Sequence, residues 1–569
     1  MLGGCLKRLD CLGIAKMFSL INVKRVIKYL FNYGVVSLTH RLLEEFSSNY
    51  RYRRWILQNE IKEEINKKKI AFDFMPKLSI IVPTFNTPVN YLKEMIESVL
   101  NQSYTNWELC IADGSICRDN IHRIIDSYSK ESRIKVKYLE QNFGIAGNSN
   151  EALKLSTGSY IAFLDHDDII PLNALAEVVE TINKNPGADF IYSDEDKISE
   201  NGKIRFGPHF KPDWSPDTFR SHNYICHLSI IKRELLDKVG YFRSGYDGSQ
   251  DYDLYLRATE NANNIVHIPK ILYHWRSFKG STSAVPEAKL YAYESAKKAL
   301  KDHLKRIGAK ATVADGFTIG SYSIYYEFDR QQKVSIIIQN TDHVELLKNC
   351  IESILINTKN VNYEIIIVEC RSTSEQIFNY YETLRNNKSI KVIIWDKPFN
   401  YSKVNNCAAE QASGNVLLFL NNDTKVITND WLESLLRHTL RQEIGAVGAK
   451  LIYHNKIQHA GIIIGLGGIA ENLHKHYPKR SSGYMRRLSI VQNVSAVTGA
   501  CMMIRKDVFN EVGGFDEEFA LAYNDVDLCM KLREKGYLII FTPYAELYRP
   551  VAQITFTIMH EYLPNLPLV

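Results

Sequence analysis

Short β-branched runs ending in turn residues recur along the chain, and stretches of helical apolar spacing lie between them. Leu78-Ser-Ile-Ile-Val-Pro-Thr and Val334-Ser-Ile-Ile-Ile-Gln-Asn both read as buried parallel strands. In the first region, Tyr91–Leu100 (YLKEMIESVL) has the spacing of an amphipathic helix. Trp107–Ala112 reads as the next strand and Tyr160–Leu164 as a later one. Alternating β and α elements predict a mostly parallel sheet with helices on both faces. Ligands of such sheets bind at the carboxyl ends of the strands, so the chemistry is expected in the loops that follow them.

The pattern is duplicated. The offset between the two runs, 334 less 78, is 256, and it recurs at Asn150/Asn406, Gly158/Gly414 and Asp167/Asp423. Between Asn150 and Asp167 the copies align without gaps, NEALKLSTGSYIAFLDHD against NCAAEQASGNVLLFLNND. The expected organisation is a helical N-terminal region over 1–76, an α/β domain over 77–315 and a second over 333–569, with a linker near Gly316–Gln332. Upstream, Met17 to Leu43 mixes basic residues with Phe18, Ile21, Val26, Ile27 and Leu30 at helical spacing. That pattern suits a helix lying on a membrane surface and equally one packed on the next domain.

Composition narrows the class. With 569 residues, 45% hydrophobic and 24% charged, the chain can bury large cores. Its 33 tyrosines suit sugar faces, but an AT-biased genome gives the same excess. The net charge of +6 comes with basic stretches at Arg51–Arg54 and Ile61–Lys69, and no basic stripe interleaved with aromatic residues points to nucleic acid. Ten scattered cysteines without a CxxC pair indicate reduced thiols in a reducing compartment. No apolar run approaches the ~20 residues needed to span a bilayer, and no signal-peptide pattern opens the chain. The expected place is the cytoplasm, with possible peripheral association at the inner face of the plasma membrane.

The strongest chemical signal is Leu164-Asp165-His166-Asp167-Asp168, directly after a strand. Three crowded carboxylates repel unless a cation neutralises them. Hard oxygen ligands at a strand end suit Mg²⁺ or Mn²⁺, which bridge a diphosphate. A solvated acidic loop or a helix N-cap would show the same residues.

An ordered set of pieces now carries a resemblance. SIIVPTFN (Ser79–Asn86), ADGS (Ala112–Ser115), NFGIAGNSNEAL (Asn142–Leu153), FLDHDD (Phe163–Asp168) and YSDEDK (Tyr192–Lys197) come first. FKPDWSPD (Phe210–Asp217), GSQDYDLYLR (Gly248–Arg257) and HIPKILYHWR (His267–Arg276) follow. Together they resemble a family 2 glycosyltransferase of the GT-A fold, of the tandem type found with O-antigen and capsule polysaccharide biosynthesis. The resemblance implies an inverting hexosyl- or deoxyhexosyl-transferase using a UDP-, dTDP- or GDP-sugar and a glycan or lipid-linked acceptor. It implies that Pro83, Thr84 and Asn86 line the nucleotide, that Asp113 contacts the base, and that Asp165 and Asp167 form the metal-binding DxD, with Asp167 coordinating. Asp251 matches the catalytic base, although an aspartate there also suits an N-cap. His274 matches a late position that completes the metal or diphosphate site; a core or surface histidine fits as well. Asp194, Glu195 and Asp196 read either as a site element or as a solvated turn.

The second copy resembles another branch of the same family. Its pieces are FNYSKVNN (Phe399–Asn406), FLNNDT (Phe419–Thr424), VGAKLIY (Val447–Tyr453), QHAG (Gln458–Gly461), TGAC (Thr498–Cys501), GGFDE (Gly513–Glu517) and NDVDLC (Asn524–Cys529). By resemblance Asp423 binds metal, Asp525 is the base and Glu369 replaces the base-contacting aspartate. Asp525 follows Asp251 by 274 positions, 18 more than the repeat offset, which places an insertion after QHAG. Gln339 stands where proline is usual, Asn421 opposite Asp165 and Thr424 opposite Asp168, and Tyr548-Arg549-Pro550 where a histidine is expected. The sequence after Pro550 departs from the family. Fewer anionic ligands mean weaker cation binding, so this copy is expected to be impaired or metal-independent. The alternative is that only the first copy is catalytic and the second is a glycan-binding or scaffold module. A nucleotidyltransferase would carry a Gly-rich basic loop where PTFNTP stands. Gly465–Ala470 matches GxGxxA but sits mid-domain, and His454, His459, His474 and His476 fit no zinc spacing.

Overall fold

A computed structural model describes residues 49–60, 72–116, 118–278 and 290–550. The membrane-surface candidate within 17–43, Cys5, Cys11, Cys117 and the divergent tail after Pro550 lie outside the described residues. The chain divides into two compact units, one spanning Ser48–Glu327 and the other containing Phe328 onward.

In the first unit, β1 (Leu78–Thr84), β2 (Trp107–Asp113), β3 (Ile134–Tyr138) and β4 (Tyr160–Phe163) form the parallel half of one sheet. β5 (Phe190–Ser199), β6 (Arg205–His209), β7 (Ser229–Lys232) and β8 (Ile265–Ser277) complete it, in the order β3-β2-β1-β4-β7-β5-β6 with β8 on β5. β7 is antiparallel to both β4 and β5, and β8 is parallel to β5. The sheet is therefore mostly parallel, as expected, with antiparallel pairing where β7 and β6 enter. Alternate residues feed opposite apolar layers: Ile80, Val82, Leu109 and Ile111 enter one, Ile81, Cys110 and Ala112 the other. Burial on both faces explains why these strands read as continuous apolar runs.

The stretch read as a linker is partly strand. β9 (Ala311–Asp315) and β10 (Tyr322–Tyr326) form an antiparallel hairpin that turns at Gly316–Ser321. Tyr322, Ile324 and Tyr326 are buried. A turn with two glycines, Gly316 and Gly320, hid the alternation on either side.

The second unit repeats the plan. β11 (Lys333–Asn340), β12 (Asn362–Glu369), β13 (Ile390–Ile394) and β14 (Val416–Asn421) are its parallel half. β15 (Lys425–Val426), β16 (Ile444–Tyr453), β17 (Lys456–His459), β18 (Ile462–Ile464), β19 (Ala470–Asn472), β20 (Gln492–Val494), β21 (Cys501–Arg505) and β22 (Leu538–Tyr548) follow. The main order is β13-β12-β11-β14-β21-β16-β22-β15. β18 and β19 pair as a separate hairpin after QHAG, in the segment where the extra residues were expected. Gly465–Ala470 is the turn of that hairpin, not a strand–helix turn.

One buried polar staple recurs at the amino-terminal edge of both sheets. Ser79 Oγ donates to Glu108 Oε1 at 2.7 Å and accepts from the Gly158 amide at 2.8 Å. Ser335, Glu364 and Gly414 repeat it at 2.6 and 2.9 Å. A Cβ on Gly158 would stand 2.6 Å from the Lys77 carbonyl, and one on Gly414 2.5 Å from that of Lys333. Only glycine fits so close to a neighbouring backbone. The described cysteines are all free thiols, most of them buried. Among the described residues, no helix is long and apolar enough to cross a membrane.

Candidate active site

At the carboxyl edge of the first sheet, Thr84 ends β1 beside Asp113 at the end of β2. Thr84 Oγ1 and Ser115 Oγ donate to Asp113 Oδ1 at 2.7 and 2.6 Å, and His122 Nε2 lies 3.3 Å from Oδ2. Asn86, at a left-handed φ of 49°, accepts the Ile116 amide at 3.0 Å and donates its own amide to Ser115 Oγ at 2.8 Å. The loops after β1 and β2 are thus tied together, with half-buried Pro83 at their root.

The acidic cluster separates into different environments. Asp168 is fully buried and accepts from Tyr273 Oη at 2.6 Å and the Arg276 amide at 2.7 Å. Burial, reinforced by Asp167 and Asp165, pushes its carboxyl well above the usual range. Arg276 Nε also donates to the Asp167 carbonyl at 2.7 Å. Asp168 therefore anchors the loop, while the Asp165 side chain remains 39% exposed. The Asp167 carboxyl is raised by burial and by Asp165, against the opposing pull of His166.

His227 is a residue that motif reading missed, because no spacing links it to the acidic loop. Its Nε2 lies 3.5 Å from Asp165 Oδ2, and its ring stacks on Tyr273 at 4.5 Å. Its Nδ1 is buried without a hydrogen-bond partner. Asp251 sits in the first turn of the helix Gln250–Thr259, whose N-cap is Ser249. Asn223 Nδ2 donates to Asp251 Oδ2 at 2.9 Å. Burial raises the Asp251 carboxyl, His227 lowers it and Asp165 raises it. The segment Asn223–His227 links the two carboxylates: Asn223 donates to Asp251 and accepts from the Cys226 amide at 3.4 Å, and the next residue, His227, lies beside Asp165. Asp253 is buried against Arg243 and Arg257 and faces the fold.

His274 stands on β8, bridged to Ile169 just after the acidic cluster. Its Nδ1 is 2.5 Å from Asp196 Oδ1. Asp196 also accepts from Tyr52 Oη at 2.5 Å and Arg205 Nε at 2.6 Å, and Arg205 pairs with Glu60. The helical stretch 49–60 is thereby tied to the residue that holds His274. Asp194, Glu195 and Asp196 are not a solvated turn: all three are buried on β5. Glu195 is held down to about 2, the nearby Lys211 and His209 outweighing its burial.

Among the described residues no three His, Cys, Asp or Glu side chains converge as a cation cage. Asp165 and Asp167 nevertheless offer the hard oxygens that a divalent cation takes, with His227 3.5 Å from Asp165 Oδ2 and His166 4.0 Å from Asp167 Oδ1. Such an ion would complete its shell with diphosphate oxygens and water.

The second unit arranges the same positions differently. Glu369 accepts from Tyr381 Oη at 2.6 Å and Ser372 Oγ at 2.8 Å, and Asp342 takes the place and the left-handed φ of Asn86. Asp525 Oδ2 accepts the Gly499 amide at 2.9 Å, and burial raises its carboxyl. His459 is buried and lowered to about 4, and accepts the Gly461 amide at 3.3 Å. His474 is likewise lowered, to about 3, by burial. Asp423 does not stand open: Arg549 Nε donates to both of its oxygens, at 3.1 and 3.2 Å.

This duplicated arrangement matches the family model described as Glycosyl transferase family 2 over residues 79–240 and 335–513, and the chain belongs to that family. It is 42% identical over 480 residues to the uncharacterized protein y4gI of Sinorhizobium fredii, a match covering 83% of this chain and 53% of that protein. It is 35% identical over 475 residues to the O-antigen biosynthesis protein RfbC of Myxococcus xanthus, covering 83% of this chain and 37% of RfbC. The chain thus spans about half or less of the length of these relatives. Among solved structures, S. aureus TarS 1–349 in complex with UDP-GlcNAc is 24% identical, with a TM-score of 0.33 over 40% of this chain and 66% of that one.

Proposed function

We propose that the chain is an inverting glycosyltransferase that moves a sugar from a nucleotide-sugar donor to a polysaccharide or lipid-linked glycan, with the first unit as a catalytic site. The observation that carries this reading is the short segment Asn223–His227, which holds Asp251 at one end and meets Asp165, beside Asp167, at the other. RfbC, named for O-antigen biosynthesis, supports the acceptor class. A cytoplasmic site of action, at or near the inner face of the membrane, follows from that acceptor.

Pro83, Thr84, Asn86 and Asp113 would hold the nucleoside. Asp167 with Asp165 would bind Mg²⁺ or Mn²⁺, whose charge stabilises the departing diphosphate. Asp251 would take the proton of the acceptor hydroxyl as its oxygen bonds to the anomeric carbon from the face opposite the leaving phosphate. Its carboxylate is aimed by Asn223. His274, clamped by Asp196, would act on the diphosphate side. Asp423, Asp525 and Glu369 are the corresponding residues of the second unit.

The test is incubation of the purified chain with UDP-, dTDP- and GDP-sugars and Mn²⁺, reading thermal shift and nucleotide release. A donor that both stabilises the protein and is consumed is the expected result. Absence of any shift across the panel would overturn the reading.

A further inference from the structure

We propose that Arg549 supplies in the second unit the positive charge that a divalent cation supplies in the first, so that a nucleoside diphosphate binds there without metal. This rests on the function proposed above and deepens it.

Register fixes the correspondence. His274 bridges Ile169, and Tyr548 pairs with Lys425, which follows Ile169 by the repeat offset of 256. Tyr548 therefore stands where His274 does, and Arg549 one residue beyond. The Arg549 amide donates to the Ile452 carbonyl at 2.8 Å, which holds the residue at the end of β22. Its guanidinium meets Asp423, the counterpart of Asp167, and that side chain is only 4% exposed. A buried carboxylate needs a compensating charge, and here a side chain of the same chain provides it.

The rest of the cluster has changed in the same sense. Asn421 replaces Asp165 and Thr424 replaces Asp168, so one carboxylate remains and one guanidinium balances it. A divalent ion placed there would be repelled by Arg549. Only Nε of Arg549 hydrogen-bonds Asp423, which leaves the two terminal nitrogens of an 18% exposed side chain for a ligand. A guanidinium fork matches phosphate oxygens bidentately. The group also lies near the base candidate: the Asn421 amide, two residues before Asp423, donates to the Ala500 carbonyl at 3.1 Å, and the adjoining Gly499 amide donates to Asp525.

The experiment is calorimetric titration of the full chain with UDP, dTDP and GDP, each in EDTA and each in Mn²⁺. For the accepted nucleotide, one equivalent should bind in EDTA and a second only with Mn²⁺. Arg549→Gln should weaken the EDTA-resistant equivalent by about tenfold or more and leave the Mn²⁺-dependent one unchanged, which also reports an intact first unit. Arg549→Gln combined with Asp423→Asn removes the buried charge together with its partner and should show the same loss without a folding penalty. Arg549→Lys should retain an intermediate affinity. The proposal is overturned if no equivalent binds in EDTA, as a pure scaffold module would behave, or if the double variant keeps the EDTA-resistant equivalent. Binding of Mn²⁺-dependent nucleotide alone would sink this inference and leave the proposed function standing; no binding under any condition would sink both.

Discussion

The two units agree at one edge of their sheets and part at the other. At the amino-terminal edge, Ser79, Glu108 and Gly158 match Ser335, Glu364 and Gly414 residue for residue at the same offset, with hydrogen bonds equal to within 0.1 Å. At the carboxyl edge nearly every polar group has moved. Asp113 becomes Glu369 with a tyrosine on it, and the exposed Asp165 becomes Asn421. Asp168, pinned by the Arg276 amide, becomes Thr424, and proline 550 stands at the Arg276 position with no amide proton to give. Duplication preserved what holds the sheet together. The carboxyl edge differs in charge balance: Asp165 and Asp168 of the first unit correspond to Asn421 and Thr424, and Arg549 sits on Asp423, the counterpart of Asp167.

The comparison breaks most sharply at the base. Asp251→Asn should lower transfer by roughly 10²–10⁴-fold, the range for a positioned general base, with nucleotide affinity within about twofold of wild type. Steady-state kinetics beside calorimetry measures both; equal turnover by the variant would remove Asp251 from its role. Next in size, Asp167→Ala should weaken Mn²⁺-dependent nucleotide binding by about 10–100-fold, whereas the structural counterpart Asp423→Ala should leave the Mn²⁺ dependence of the chain unaltered. If the two substitutions behave alike, the asymmetry read here between the copies is wrong.

The shared edge offers the converse test. Gly158→Ala and Gly414→Ala each force a methyl group against a backbone carbonyl, and each should destabilise its own unit by about 1–3 kcal/mol. Urea unfolding followed by a probe in each unit would measure this. A tolerated alanine at either position would mean the staple is looser than its hydrogen bonds imply.

Much of this was legible in the chain because it depended on local pattern. Buried parallel strands announce themselves as runs such as SIIV and SIII, and the helix carrying Asp251 follows from DYDLYLRAT. The duplication was visible because the staple and its glycine tolerate little change. Three features were hidden for physical reasons. His227 meets Asp165 because β7, which it precedes, pairs with β4, and no periodicity marks its segment. Asp194–Asp196 read in the sequence as either a site element or a solvated turn, yet Lys211, His267, His274 and Arg205 meet them in the interior. Arg549 shows in the sequence only as the absence of an expected histidine, because a cation supplied by a side chain leaves no motif of its own.

The smallest expected effect concerns protons, and it sharpens the asymmetry within the first site. Asp251 must be ionised to accept a proton, and burial places its carboxyl above the ordinary value of 3.8. Activity should therefore fall as pH drops through a point above 3.8, earlier than for a solvated aspartate. His227 opposes that rise electrostatically. In His227→Gln that help is lost, so the acid limb of the kcat/KM profile should move to higher pH, by less than about one unit. An acid limb that stays in place, or moves to lower pH, would show that His227 does not act on the base, and that its buried, unpartnered Nδ1 serves the substrate instead.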